Sequence, residues 1–75
     1  MATNATDVHV GRQVMACRLA RSLSVRTVAN WLDLQSKDYE ACEAGISHLG
    51  EQQLMRLANK LDVNQALFFA GHRAH

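Results

Sequence analysis

The sequence predicts an all-α domain built from five short helices. Three observations predict it: the chain of 75 residues lacks Pro, has four Gly, and is 48% hydrophobic. Ala, Leu, Arg and Gln are frequent, and these residues favour helices. The apolar residues recur at spacings of three and four, which is typical of helices that bury one face.

The length and composition exclude several classes of protein. A chain of 75 residues is enough for one domain, expected over 8–71, with polar tails at 1–7 and 72–75. No apolar run approaches the roughly 18 residues that a membrane span needs, and the N-terminus has no secretory signal pattern. A cytoplasmic location is therefore predicted. Cys17 and Cys42 lack the spacing of a disulfide scaffold or zinc site and are interpreted as buried thiols.

The first helix is expected from about residue 8 to Arg21, with Asp7 as its cap. Helical spacing predicts a buried face made of Val10, Val14 and Cys17, with Met15 as a further candidate. Ser22 and Leu23 then turn the chain.

A second helix is expected at 25–32, after Ser24, a favourable N-cap residue. Its apolar residues fall at i, i+3, i+4 and i+7, the pattern of one buried face: Val25, Val28, Ala29 and Leu32. Asp33 and Leu34 form a tight connection to the next helix.

A third helix is expected at about 36–43, with Tyr39 and Cys42 inward and Gly45 as a left-handed cap. The second and third helices, joined by a tight turn, match the helix-turn-helix pattern.

Two further helices complete the chain. After a loop at 46–50, a fourth helix of roughly 51–61 is marked by Leu54, Leu57, Ala58 and Leu61. Asn64 can cap a last short helix that contains Phe68 and ends at Gly71.

The ordered motifs resemble a known family. GRQVMACRLARSLSVRTVANWL, then EAG, then LMRLANKLDV are similar to the Cro/phage-repressor-like helix-turn-helix family, also called the XRE family, over about residues 10–69. The resemblance implies a lambda-repressor-like fold and sequence-specific binding of duplex DNA by a small transcriptional regulator, such as a repressor. It also implies a structural ion pair between Arg18 of the first helix and Glu43, which precedes the closing Gly45.

Several positions depart from the family pattern. Asp33 stands where the turn usually has Gly, and Tyr39 replaces a usual Ile or Val. Val25 stands where a polar residue often contacts phosphate, and Leu49 replaces a common Pro. Asp tolerates a left-handed backbone better than most residues, so the turn is expected to survive.

The positions that match the family's DNA-contacting residues predict which residues of this chain would contact DNA. The third helix would enter the major groove and present Gln35, Ser36, Lys37, Asp38, Glu40 and Ala41 to base edges or nearby phosphates. Arg26 is the expected phosphate clamp, while Arg12 and Lys60 are left open as further contacts. These few cations predict weak binding by a monomer, so a homodimer on a two-fold site is expected.

The third helix is acidic for a DNA reader, because Asp38, Glu40 and Glu43 oppose Lys37. The alternative hypothesis is therefore a protein-interaction module on the same scaffold, which antagonises or modulates another regulator. Trp31 occupies a position that is usually polar in the family. Its ring either is exposed and anchors an interface or packs over the edge of the core, and the sequence leaves both interpretations open.

The last helix carries more apolar residues than one small core can accept. Leu67 and Phe69 are candidates for a homodimer interface. The alternative is that both residues close the core.

Nothing in the sequence predicts catalysis or a cofactor. His72 and His75 are three residues apart but lack a fixed third metal ligand. There is no nucleophile–base pairing and no glycine-rich phosphate loop, so no enzyme is expected.

Overall fold

The fold comes from a computed structural model that describes residues 5–69. Within this range the chain is helical and has no strand. The helices are α1 (Ala5–Ala20), α2 (Val25–Trp31), α3 (Ser36–Glu43), α4 (Glu51–Leu61) and a 3-10 helix (Gln65–Phe69). The all-α prediction with five short helices is confirmed, with the last helix of the 3-10 type. The predicted tail residues 1–4 and 72–75, and the predicted stop at Gly71, lie outside the described residues.

α1 starts earlier than expected. Residues 5–7, which were assigned to the tail, are helical, and Asp7 lies in the first turn instead of capping the helix. An acid in the first turn stabilises a helix through the helix dipole. Val10, Val14 and Cys17 are buried as predicted, but Met15 is 37% exposed, so its proposed place in the core is wrong.

α2 and its turn follow the local signals in the sequence. The Ser24 hydroxyl oxygen accepts a hydrogen bond from the Thr27 backbone N–H at 3.1 Å, as expected of an N-cap. Leu32 is the C-terminal cap and remains buried, so the helix is one residue shorter than predicted. Asp33 adopts the left-handed conformation, with φ of 56°. The turn therefore tolerates Asp in place of the usual glycine.

Two glycines allow α1 and α3 to approach closely. Gly45, which follows α3, has a φ of 79°, and a Cβ there would lie 2.6 Å from the Cα of Val8. A Cβ on Gly11 would lie 2.6 Å from the backbone oxygen of Glu43. Side chains are thus excluded at both positions, and the backbones of α1 and α3 fix each other's position.

The core lies where the four α-helices and the 3-10 helix meet. Its largest fully buried side chains are Tyr39, Phe68, Leu57, Val14 and Val28. Cys17 and Cys42 are buried free thiols, as predicted. Of the apolar residues near the end of the described chain, Phe68 closes the core, whereas Leu67 and Phe69 are each 40% exposed. The interpretation that both of these residues close the core is therefore wrong. None of the helices within residues 5–69 has the length and apolar character of a bilayer span.

Candidate nucleic-acid interface

α3 has a buried face and an accessible face. Tyr39, Cys42 and Glu43 are buried. Of the seven residues that the sequence proposes as DNA contacts, six lie on α3 or at its N-cap, and all six keep access to solvent. Gln35, Lys37, Asp38 and Glu40 are exposed, and Ser36 and Ala41 are partly exposed. The structure therefore leaves every proposed reader on α3 free of the core.

Arg18 holds α3 against α1 through a bidentate ion pair with Glu43. Arg18 Nε donates to Glu43 Oε2 at 2.6 Å, and Arg18 Nη2 donates to Glu43 Oε1 at 3.1 Å. Arg18 Nη1 also donates to the backbone oxygen of Leu23 at 2.9 Å, just before α2. The side chains of Arg18 and Glu43 are only 12% and 8% exposed. One guanidinium thus connects α1, α3 and the entry to α2, in the pairing that the family resemblance implies.

Tyr39 extends this contact in a way that the sequence analysis missed. Its hydroxyl donates a hydrogen bond to Glu43 Oε2. The sequence spacing of Tyr39 and Glu43 indicates this contact, because residues four apart on a helix share a face. Burial, followed by the hydrogen bond to Glu43, raises the pKa of Tyr39 far above its usual value. The hydrogen bond to Glu43 also raises the pKa of Arg18, so this guanidinium stays charged.

The pairing of Glu43 changes the charge of the accessible face. Glu43 points inward and is neutralised by Arg18. The outward charges that remain are Lys37, Asp38 and Glu40 on α3, with exposed Arg26 on α2. None of these four forms an ion pair with another residue of the described range. The face is therefore mixed in charge instead of strongly acidic, and its charged groups are available to a partner.

A groove of about 410 Å³ runs beside this face, between α1 and α3. The Arg18–Glu43 pair lies within it, and its other lining residues are Val8, Arg12, Met15, Val25, Glu40 and Ala44. Sequence patterns do not reveal such a groove, because it depends on how closely α1 and α3 pack.

Trp31 lies on a different part of the surface, where α2 meets α4. Its side chain is half-buried and packs against the edge of the core. Lys60 Nζ lies 6.0 Å from the centre of the ring. Arg56 Nη1 donates to the Trp31 backbone oxygen at 3.2 Å and to Asp33 Oδ2 at 3.1 Å. Of the two interpretations of Trp31, the structure supports the one in which its ring covers the edge of the core.

The exposed residues of the 3-10 helix border a second groove. This groove has a volume of about 350 Å³ and is lined by His48, Leu49, Glu51, Leu54, Gln65 and Phe69. At one of its edges, His48 Nδ1 lies 2.7 Å from Asp7 Oδ1. The groove therefore carries apolar surface at the end of the described chain. Within residues 5–69, no group of three or more potential ligands is placed to hold a metal ion; His72 and His75 lie outside that range.

The arrangement of helices defines a helix-turn-helix domain of the lambda-repressor-like type. No protein-family model matches the chain, and no curated protein matches it either. A solved structure does match: the restriction-modification controller protein C.AhdI from Aeromonas hydrophila. It is 26% identical in sequence, with a TM-score of 0.78, and the match covers 88% of this chain and 100% of that chain. The resemblance to the Cro/phage-repressor-like helix-turn-helix family is thereby confirmed.

Proposed function

We propose that this protein is a small transcriptional regulator that binds duplex DNA sequence-specifically, as a homodimer with α3 in the major groove. The observation that carries the proposal is the division of α3 into two faces. Tyr39 and Glu43 fix the helix from the inside, while the residues at base-reading positions stay accessible. The likeness to a restriction-modification controller protein supports a regulatory role.

The accessible residues have the chemistry that base recognition needs. Gln35 can pair with adenine, and Lys37 can donate to guanine or to phosphate. Asp38 and Glu40 can accept a hydrogen bond from the N4 amino group of cytosine. Because neither acid is paired within the described residues, both keep their acceptor oxygens for a base. An acidic reading helix is thus compatible with DNA recognition, at some cost in affinity beside phosphates.

The number of available cations supports a dimer. Arg26 and Lys37 are the basic residues on α2 and α3, and both are exposed. Since phosphate neutralisation supplies much of the affinity for DNA, two cations give weak binding, and a two-fold dimer doubles them. Leu67 and Phe69, each 40% exposed, provide apolar surface that self-association would bury.

The second candidate function is binding to a protein partner through the same face of α3. The unpaired acids Asp38 and Glu40 favour it, because a basic surface on another regulator would satisfy them. Trp31 does not strengthen this candidate, since its ring packs against the core.

Selection of bound fragments from genomic DNA, followed by gel shift at 50 and 200 mM salt, tests the two functions. Recovery of a two-fold symmetric sequence whose affinity falls steeply with salt is expected for a dimeric DNA-binding regulator. Absence of enrichment, with the helical circular dichroism spectrum intact, would reject DNA binding and favour a protein partner.

Lys37→Ala locates the interface within the same assay. Because a two-fold dimer loses the contact twice, its affinity for the selected duplex is expected to fall about a hundredfold, or about 2.7 kcal/mol, at about 1.4 kcal/mol for each base contact. Lys60→Ala is the matched control. The sequence left Lys60 open as a DNA contact, but Lys60 lies beside Trp31 on the surface formed by α2 and α4, and we propose no DNA contact for it. Equal affinities for the two variants would exclude Lys37 from the site.

A further inference from the structure

We propose that Arg12 of α1 is a further positioning residue, which binds the DNA phosphate chain along the groove between α1 and α3. The inference rests on the proposed function, because it adds a contact to the same DNA-binding face. It extends that face from the helix-turn-helix unit onto α1.

The walls of the groove connect α1 to the reading helix. Val8 and Arg12 line it from α1, and Glu40 and Ala44 line it from α3. Glu40 is exposed and belongs to the accessible face of α3. The groove therefore opens onto that face, and a duplex seated on α3 lies over the groove.

Two arginines line the groove, Arg12 and Arg18, and they differ in whether they are paired with an acid. Arg18 is satisfied by Glu43 and by the backbone oxygen of Leu23. Arg12 is exposed and pairs with no acid among the described residues. Its guanidinium, which has five donors in a planar fork, fits a phosphate group. The available positive charge in this groove is therefore that of Arg12, which shares the groove with the unpaired carboxylate of Glu40.

Val25 strengthens this assignment. It is the first residue of α2 and lines the same groove, but its side chain has no hydrogen-bond donor. Beside it, Arg26 is exposed. Arg12 offers, from the α1 wall of the same groove, the donor that Val25 lacks, and we expect Arg12 and Arg26 to contact the phosphate chain together.

A phosphate contact has a signature that differs from that of a base contact. It adds affinity and salt dependence for any sequence, and it carries no sequence information of its own. Each lost contact lowers the magnitude of the log–log salt slope by about 0.9, and hence by about 1.8 for a two-fold dimer. Discrimination between sequences is expected to stay the same.

The test compares Arg12→Gln with Lys60→Gln, which makes the same change of charge on the surface formed by α2 and α4. Binding to the duplex selected by the unsubstituted protein, and to a scrambled duplex, is measured at four salt concentrations. Arg12→Gln is expected to lower the slope by the amount given above and to weaken binding to both duplexes equally. Lys60→Gln is expected to leave the slope unchanged. Arg12→Lys, which keeps the charge, is expected to restore most of the slope.

The outcomes separate this inference from the function on which it rests. If the unsubstituted protein binds no duplex, the proposed function fails and the role of Arg12 fails with it. If the unsubstituted protein binds but Arg12→Gln has the same slope as Lys60→Gln, the role of Arg12 alone is rejected. A variant that loses discrimination between the two duplexes also overturns the inference, because Arg12 would then contact a base.

Discussion

Removal of the Arg18 guanidinium is expected to cost the domain a large part of its stability. Arg18→Ala deletes two hydrogen bonds to Glu43 and one to the backbone of Leu23. It leaves the Glu43 carboxylate, 8% exposed, with the Tyr39 hydroxyl as its remaining side-chain partner. Breaking a buried ion pair from one side costs about 3–5 kcal/mol, and the slight exposure of both groups favours the lower end. Total stability for a chain of this length is about 4–11 kcal/mol.

Thermal unfolding followed by circular dichroism measures this loss. At about 4–8 °C per kcal/mol for small domains, a loss of about 3 kcal/mol predicts that Tm falls by roughly 12–24 °C. Arg56→Ala is the control, because the Arg56–Asp33 pair is 51% and 86% exposed and such pairs contribute at most about 1 kcal/mol.

A double-mutant cycle with Glu43→Ala shows whether the loss arises from the pair. The double variant is expected to lose less stability than the two single variants together. The reasoning is refuted if Arg18→Ala lowers Tm no more than Arg56→Ala does.

Three other perturbations test the fold and the proposed dimer. Gly11→Ala places a Cβ 2.6 Å from the Glu43 backbone oxygen, so it should lower the free energy of unfolding by about 3 kcal/mol; a urea midpoint equal to that of the parent would contradict the close approach. The raised pKa of Tyr39 contributes stability that is complete below about pH 10, the unfolded value, and is lost as the pH rises further. Stability measured in urea at pH 8 and 11 should therefore fall less in Tyr39→Phe than in the parent, and equal losses would remove Tyr39 as a cause. Combined replacement of the exposed Leu67 and Phe69 by Gln should raise the dimer dissociation constant at least tenfold, by about 1.4 kcal/mol, with little change in Tm; unaltered sedimentation equilibrium would exclude this surface.

Helix positions were predictable where the chain carries local signals. Ser24 caps α2 through its own side chain, and Gly45 follows α3 in the left-handed conformation that its lack of a side chain allows. The start of α1 was not predictable from a cap, because residues 5–7, which resemble the polar tail in composition, are helical. The sequence predicted the last helix but did not indicate that it is a 3-10 helix. Its i+3 hydrogen bond, from Leu67 N–H to the Asn64 backbone oxygen at 2.9 Å, is typical of 3-10 helices, and apolar spacing over so few residues does not distinguish the two types.

The accessibility of the proposed α3 contacts was predictable, but the shape of their surroundings was not. Matching positions placed Lys37 and its neighbours on one helix, and helical geometry alone separates them from Tyr39. The groove beside Arg12 depends on how closely α1 packs against α3, which a pattern on either helix does not give. The burial of Trp31 likewise depends on packing against residues distant in sequence, and Lys60 of α4 lies beside its ring.

Three turns hold residues other than glycine in a left-handed backbone conformation. Ser22, Asp33 and Asp62 have φ values of 54°, 56° and 57°, in the left-handed region where a side chain is unfavourable. Such a backbone costs about 1 kcal/mol or more for residues other than glycine, less for Asp than for Ser. Glycine at Ser22 would recover part of this energy without altering any residue on the accessible face of α3. A variant that exchanges the proposed contact residues of α3, and loses stability in doing so, can thus regain stability through a single change at Ser22. The left-handed turn at Ser22 thus offers a source of stability that is separate from the proposed contact residues of α3.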